Sequence, residues 1–167
     1  MLRLSSTIRS RVSSGLRYRS SFGGAAGIQA EEGEHMIDGL LQFDTLHEVQ
    51  KRAAGQWPDK PLFGTYNGGR FDWMTYSEFD EKVEQSRALL ADLGVKRGDT
   101  VGVISNNRWE WSAVASACHS LSAVVVPMYE AQLPKDWSYI LNDAGCKALF
   151  VANDDIFGRA GEEVKAS

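Results

Sequence analysis

Three histidines, two cysteines and two acidic pairs are the side chains of this sequence best suited to chemistry, and their spacing keeps them apart. His35, His47 and His119 lack the HExxH spacing that sets two imidazoles on one helix face around a metal. His119 follows Cys118 directly, but helical neighbours point about 100° apart and form no nucleophile–base pair. It reads as a half-buried or surface helix histidine. Cys118 and Cys146 form no CxxC and no framework of disulfides. Both lie in apolar surroundings, where a thiol behaves as a small buried hydrophobe, and they fit a reducing compartment. Asp154-Asp155 and Glu162-Glu163 read as solvated charge pairs. There is no GxSxG elbow, and residues 23–27 (GGAAG) fit neither GxGxxG nor GxxxxGK[ST]. Trp57, Trp73, Trp109, Trp111 and Trp137 read as core side chains, with the wall of a substrate channel as the alternative for Trp109 and Trp111. No residue is assigned a catalytic, cofactor-binding or metal-binding role.

Charge divides the chain in two. Of 18 basic and 22 acidic residues, residues 1–30 hold five arginines and no acid, so the remainder carries a net −9. An acidic body argues against nucleic-acid binding, which needs a basic face to displace counterions. Residues 1–21 (MLRLSSTIRSRVSSGLRYRSS) are rich in arginine and serine and free of acids, the composition of an organelle transit peptide. Leu4, Ile8, Val12 and Leu16 would give a helix there an apolar stripe, and Arg17 to Ser21 resembles a mitochondrial processing site. No apolar run approaches the roughly 20 residues of a transmembrane helix.

The remaining elements must position whatever site exists. Leu62–Tyr66 and Arg70–Met74 read as strands joined by Asn67-Gly68-Gly69, a hairpin turn needing positive φ. Thr75 to Glu78 has capping-box spacing before an amphipathic helix bearing Phe79, Val83, Leu90 and Leu93, which Gly94 ends. Thr100–Ile104 is apolar on both sides, as in a strand covered on both faces. Asn107 to Glu110 offers a second cap, before a helix burying Trp111, Val114, Ala115, Cys118 and Leu121. Ala123–Pro127 reads as a buried strand. Pro134 opens a helix with a stripe of Trp137, Ile140, Leu141 and Ala144, and Lys147–Val151 is the last strand. The fold class is α/β, an incomplete layered parallel sheet with βαβ crossovers. Residues 154–167 read as a short polar segment with one apolar patch at Ile156-Phe157, so a hydrophobic edge is expected to stay open.

Residues 73–79 (WMTYSEF), 94–111 (GVKRGDTVGVISNNRWEW) and 121–150 (LSAVVVPMYEAQLPKDWSYILNDAGCKALF) together resemble the opening of the adenylate-forming, AMP-binding synthetases. Gly69 to Trp73 and Met128-Tyr129-Glu130 are similar to the long-chain fatty acyl-CoA synthetase branch. The resemblance covers roughly residues 57–152. It implies an ATP-dependent ligase in which a fatty carboxylate forms an acyl-adenylate and coenzyme A then displaces AMP. The family's phosphate loop, its later acidic residues and its mobile lysine have no counterpart among these 167 residues, so no site residue is carried over.

The expected organisation is a transit peptide and flexible spacer over 1–30, a lead-in helix or loop over 31–56, and a partial N-terminal synthetase domain over 57–167. This domain resembles the start of the family's large N-terminal domain and is expected to end before the phosphate loop. The resemblance implies ATP, Mg²⁺ and coenzyme A for the full-length enzyme. None of these is expected to bind residues 1–167, which alone are expected to be inactive. Fatty acid is the implied substrate, the mitochondrial import machinery the implied partner of residues 1–21, and the matrix the expected location. The alternatives are a short non-catalytic interaction or regulatory module on this scaffold, or an adenylating enzyme for a different carboxylic acid.

Overall fold

The structure, a computed structural model, describes residues 3–5 and 43–166. Its elements are β1 (Arg3–Ser5), α1 (Leu46–Gln56), β2 (Pro61–Asn67), β3 (Arg70–Thr75), α2 (Tyr76–Asp92), β4 (Thr100–Ile104), α3 (Trp109–Ser120), β5 (Val124–Met128), α4 (Pro134–Asp143), β6 (Ala148–Val151) and α5 (Asp154–Ala166).

β2 and β3 form a separate antiparallel ribbon closed by Gly68 and Gly69 at φ 58° and 103°. Two consecutive positive-φ residues match the right-handed twist of the flanking strands, as the Asn67-Gly68-Gly69 run implies. Alternation then decides what each residue does. Phe63 and Met74 face the helices, against Phe79, Val83 and Ala113, while Tyr66, Phe71 and Trp73 stand on the opposite face. Trp73 is 61% exposed, correcting its reading as core. Its ring covers Gly64, where an added Cβ would come within 2.9 Å of it. Trp57 is exposed too, with Lys60 above its ring at 5.3 Å.

The capping box of α2 is complete: Thr75 Oγ1 accepts from the Glu78 amide at 3.3 Å, and the Glu78 carboxylate accepts from the Thr75 amide at 2.7 Å. Phe79, Val83 and Leu90 are buried, whereas Leu93 lies past the last helical residue and is exposed. Gly94 follows at φ 78°, as its stop role requires. α1 lies against α2 through polar contacts. Lys51 bridges Asp80 at 2.9 Å and Glu84 at 3.0 Å, and Gln50 Nε2 donates to Asp80 Oδ1 at 2.7 Å.

The main sheet has the order β1-β6-β4-β5. β4 pairs in parallel with both β5 and β6. The chain leaves β4 toward β5 through α3, then returns past β4 to β6 through α4. Crossovers of one hand running in opposite directions put α3 and α4 on opposite faces. The core divides accordingly. Val101, Val103, Ala148 and Phe150 pack with Leu90, Val114 and Cys118 on one face. Ile104, Leu149 and Val151 pack with Trp137, Leu141 and Ile156 on the other.

Three expectations are corrected. Residues 154–166 form a helix, α5, whose Ile156 and Ala160 complete the second face, because Asn153 caps it by accepting from the Ile156 amide at 2.9 Å. β5 is an edge strand, so Val124 is 51% exposed rather than buried. The outer edge of β6 is paired by β1, antiparallel, with Arg3 opposite Val151 and Ser5 opposite Leu149. Leu4 of the expected helical stripe is therefore in a strand. The rest of the leader lies outside the described residues, as does His35.

β4 carries a glycine where its neighbours have branched side chains. A Cβ on Gly102 would meet Leu141 Cδ2 at 2.6 Å, Leu149 Cδ1 at 3.1 Å and Met128 Cε at 3.2 Å. Gly102→Ala is expected to cost roughly 1–3 kcal/mol, read as a lower urea midpoint at unchanged slope, because the overpacked side chains must shift. An unchanged midpoint would show that α4 does not close on β4 as described.

Candidate functional site at the carboxyl ends of the parallel strands

In a parallel α/β sheet, ligands collect where the strands end and the backbone turns away. Here β4, β5 and β6 end together, and a polar network joins the three loops that follow. Ser105, buried just after β4, donates through Oγ to the Asn106 carbonyl at 2.9 Å. The Asn106 amide donates to Glu130 Oε1, in the loop after β5, at 2.9 Å. Arg108 donates to the Ala152 carbonyl, in the loop after β6, at 3.3 Å.

Arg108 also grips Glu110 with two parallel bonds, Nε to Oε2 at 2.9 Å and Nη2 to Oε1 at 2.7 Å. This fork is the strong form of an ion pair. It corrects the expected second capping box: Arg108, not Asn107, occupies the N-cap of α3, without a side-chain cap bond. Glu110 is turned toward the guanidinium instead of back to the helix start. Burial alone would push the Glu110 carboxyl up, but the hydrogen bonds and charge of Arg108 outweigh it and hold the group below its ordinary value.

The rim's other wall is aromatic. Trp137 is buried and donates from Nε1 to the Tyr129 carbonyl at 2.9 Å, with the Arg159 guanidinium 4.8 Å above its ring. That bond fixes the loop after β5 and leaves the Tyr129 and Tyr139 side chains and Leu133 turned to solvent. The result is a shelf of loops tied together by hydrogen bonds, one compensated arginine and exposed aromatic surface. It can hold and orient a neighbouring segment or an elongated ligand. It contains no nucleophile with a base within reach.

The residues singled out in the sequence do not converge there. Cys118 and Cys146 are buried in opposite core clusters. Desolvation pushes the Cys118 thiol up to about 11 and the Cys146 thiol up as well. His119 is exposed at the end of α3, and His47 lies on α1. Asp155 pairs with Arg159 at 3.2 Å on α5; the side chains of Glu162 and Glu163 lie outside the described residues. Trp109 packs against Phe79 and Val83, and Trp111 against the α3 core, so both are structural. Sequence reasoning missed Ser105, Arg108 and Glu130 as a set. The available signal was their position: each follows an apolar strand at the end where parallel sheets build sites.

Comparison with known proteins adds a direct likeness. The profile of the AMP-binding enzyme family matches residues 50–166. The chain is 31% identical over 117 residues to long chain acyl-CoA synthetase 7, peroxisomal, of Arabidopsis thaliana, covering 70% of this chain and 17% of that protein. It is 29% identical over 131 residues to fatty acyl-CoA synthetase B of Dictyostelium discoideum, covering 74% of this chain and 20% of that one. The chain thus spans about a fifth or less of these relatives' length. Among solved structures it is similar to the fatty acid AMP ligase from Legionella pneumophila, with a TM-score of 0.58 and 25% identity over 65% of this chain and 19% of that one.

Two measurements check the site. Because the Glu110 carboxyl is depressed in the fold, its contribution is complete above the ordinary value of 4.5 and disappears as pH falls through the lowered one. Glu110→Gln is therefore expected to lose roughly 1 kcal/mol at neutral pH, shrinking toward zero in acid, in urea melts across pH. A pH-independent difference would contradict the pairing. Both thiols are expected to resist a disulfide reagent at pH 8 in the folded chain and to react within minutes after unfolding.

Proposed function

Because the chain belongs to the AMP-binding enzyme family, we propose that it supplies the opening scaffold of an ATP-dependent long-chain fatty acid–CoA ligase. The observation that carries this is the match over residues 50–166 together with relatives named as fatty acyl-CoA synthetases. In such a ligase a fatty carboxylate attacks the α-phosphate of ATP, pyrophosphate leaves, and the coenzyme A thiol then displaces AMP from the acyl-adenylate.

The role of these residues follows from their geometry. β4, β5 and β6 hold the strand-end shelf at fixed spacing, and the Arg108–Glu110 fork and the Trp137–Tyr129 bond stop its loops from collapsing. Phosphate and Mg²⁺ need a cradle of amides and a group of carboxylates. Among the described residues no three His, Cys, Asp or Glu side chains group closely enough to hold a metal ion. Mg²⁺ in nucleotide sites is held by one or two carboxylates together with the substrate's phosphates, and in this reading those groups come from the rest of the ligase. The catalytic groups belong, in this reading, to sequence outside these 167 residues.

The arginine-rich, acid-free composition of residues 1–21 supports delivery to mitochondria. Removal of that leader would take β1 with it and open the outer edge of β6. A fusion of residues 1–30 to a fluorescent protein is expected to enter mitochondria; diffuse or peroxisomal signal would overturn this address.

The ligase reading is tested by ATP–pyrophosphate exchange. The protein that carries this scaffold together with the family's phosphate loop is expected to exchange on addition of a long-chain fatty acid, and residues 1–167 alone are expected to give none. Exchange driven only by an aryl or amino acid would transfer the scaffold to another adenylating enzyme.

A further inference from the structure

The outer edge of β6 is poorly protected by its own residues. Ala148–Val151 are apolar and buried, with no proline or charge among them. A strand of that kind at an edge offers its amides and carbonyls to any extended chain. Here the edge is taken by β1, three residues paired antiparallel: Arg3 opposite Val151, Leu4 opposite Phe150 and Ser5 opposite Leu149.

Topology decides which strand that edge suits. α4 carries the chain from β5 past β4 to β6, over the face where Trp137 and Leu141 pack. α5 leaves β6 over the same face, with Ile156 and Ala160 in the same cluster, and lies above both β6 and β1. Crossovers between parallel strands share one hand, so a helix on that face moves the chain in the direction that α4 took. From β6, that direction leads to the outer edge. A parallel strand arriving through α5 therefore lands where β1 now pairs.

We propose that β1 is a placeholder: residues 3–5 guard the β6 edge until the strand that follows α5 in the ligase displaces them and completes the sheet. This rests on the reading of these residues as the opening of a longer ligase. The incoming strand closes a short connection through a helix already docked on β6, whereas β1 must close a loop of nearly the whole chain, so the exchange favours the newcomer. Displacement releases the arginine-rich leader from the folded body, so the leader is freed as the sheet is completed.

Hydrogen exchange read by mass spectrometry tests this in two proteins. In residues 1–167, Leu4→Pro/Ser5→Pro removes whichever amide of β1 faces β6, because successive amides point to opposite sides. The outward amides within residues 147–152 are expected to exchange at least about tenfold faster in that variant, while α3 and the hairpin keep their protection. Unchanged protection of β6 would overturn the proposal, since β1 would then guard nothing. In the complete ligase, residues 3–5 are expected to exchange as an unpaired chain while residues 147–152 stay protected, and the two prolines are expected to alter neither. Persisting protection of residues 3–5 there, or a β6 edge that the prolines still open, would also overturn it, by making β1 a permanent strand. The ligase reading is judged separately, by fatty-acid-dependent ATP–pyrophosphate exchange, which does not depend on how β1 behaves.

Discussion

The rest of the structure depends on β4 being buried on both faces. Val101 and Val103 point into one core, and Gly102 and Ile104 toward the other. A strand with no polar face must be covered twice and paired along both edges. β5 and β6 supply the pairing, and α3 and α4 cross over on opposite sides. Gly102 shows how close the second cover comes, for its missing side chain is the space occupied by Leu141, Leu149 and Met128. The strand-end shelf follows from this arrangement. Three parallel strands in register must end together, and their loops are then near enough for Arg108 to reach the Ala152 carbonyl and for Glu130 to reach the Asn106 amide.

Much of this was legible where the signal is local. Asn67-Gly68-Gly69 specifies its turn because few other residues tolerate two positive φ angles. Thr75 and Glu78 specify a helix start because the reciprocal bonds lie within four residues. The Thr100–Ile104 run, apolar from Val101 onward and rich in β-branched residues, reads as a doubly covered strand. What the sequence concealed depended on distant partners. Asn107 has the chemistry of a cap, but the Arg108–Glu110 fork removes the glutamate the box would need. Trp73 has the composition of a core residue, but hairpin alternation turns it outward over Gly64. α5 reads as polar because, among its described side chains, Ile156, Ala160 and the flanking Phe157 are the apolar ones that face inward. β1 pairs across nearly the whole length of the chain, and no short window shows that.

The family was legible in the sequence as a resemblance, whereas the strand-end residues Ser105, Arg108 and Glu130 came together only in the geometry. No reactive constellation was found in the sequence, and none is assembled by the described residues. Function on this scaffold is positional: a rigid sheet presents loop ends, and the energy that fixes them comes from core burial several residues away. At the strand ends Asn106, Arg108, Glu110 and Glu130 are tied to one another's loops by hydrogen bonds, which hold the three loops together.

Amide hydrogen exchange on the folded chain tests the central claim most directly. If β4 is the doubly covered, doubly paired centre, the amides of Val101 to Ile104 exchange slowest of all and only through global unfolding, while Tyr66 to Arg70 in the hairpin exchange orders of magnitude faster. If β4 exchanges as quickly as the hairpin, the two-faced sheet, and with it the origin of the strand-end shelf, is wrong.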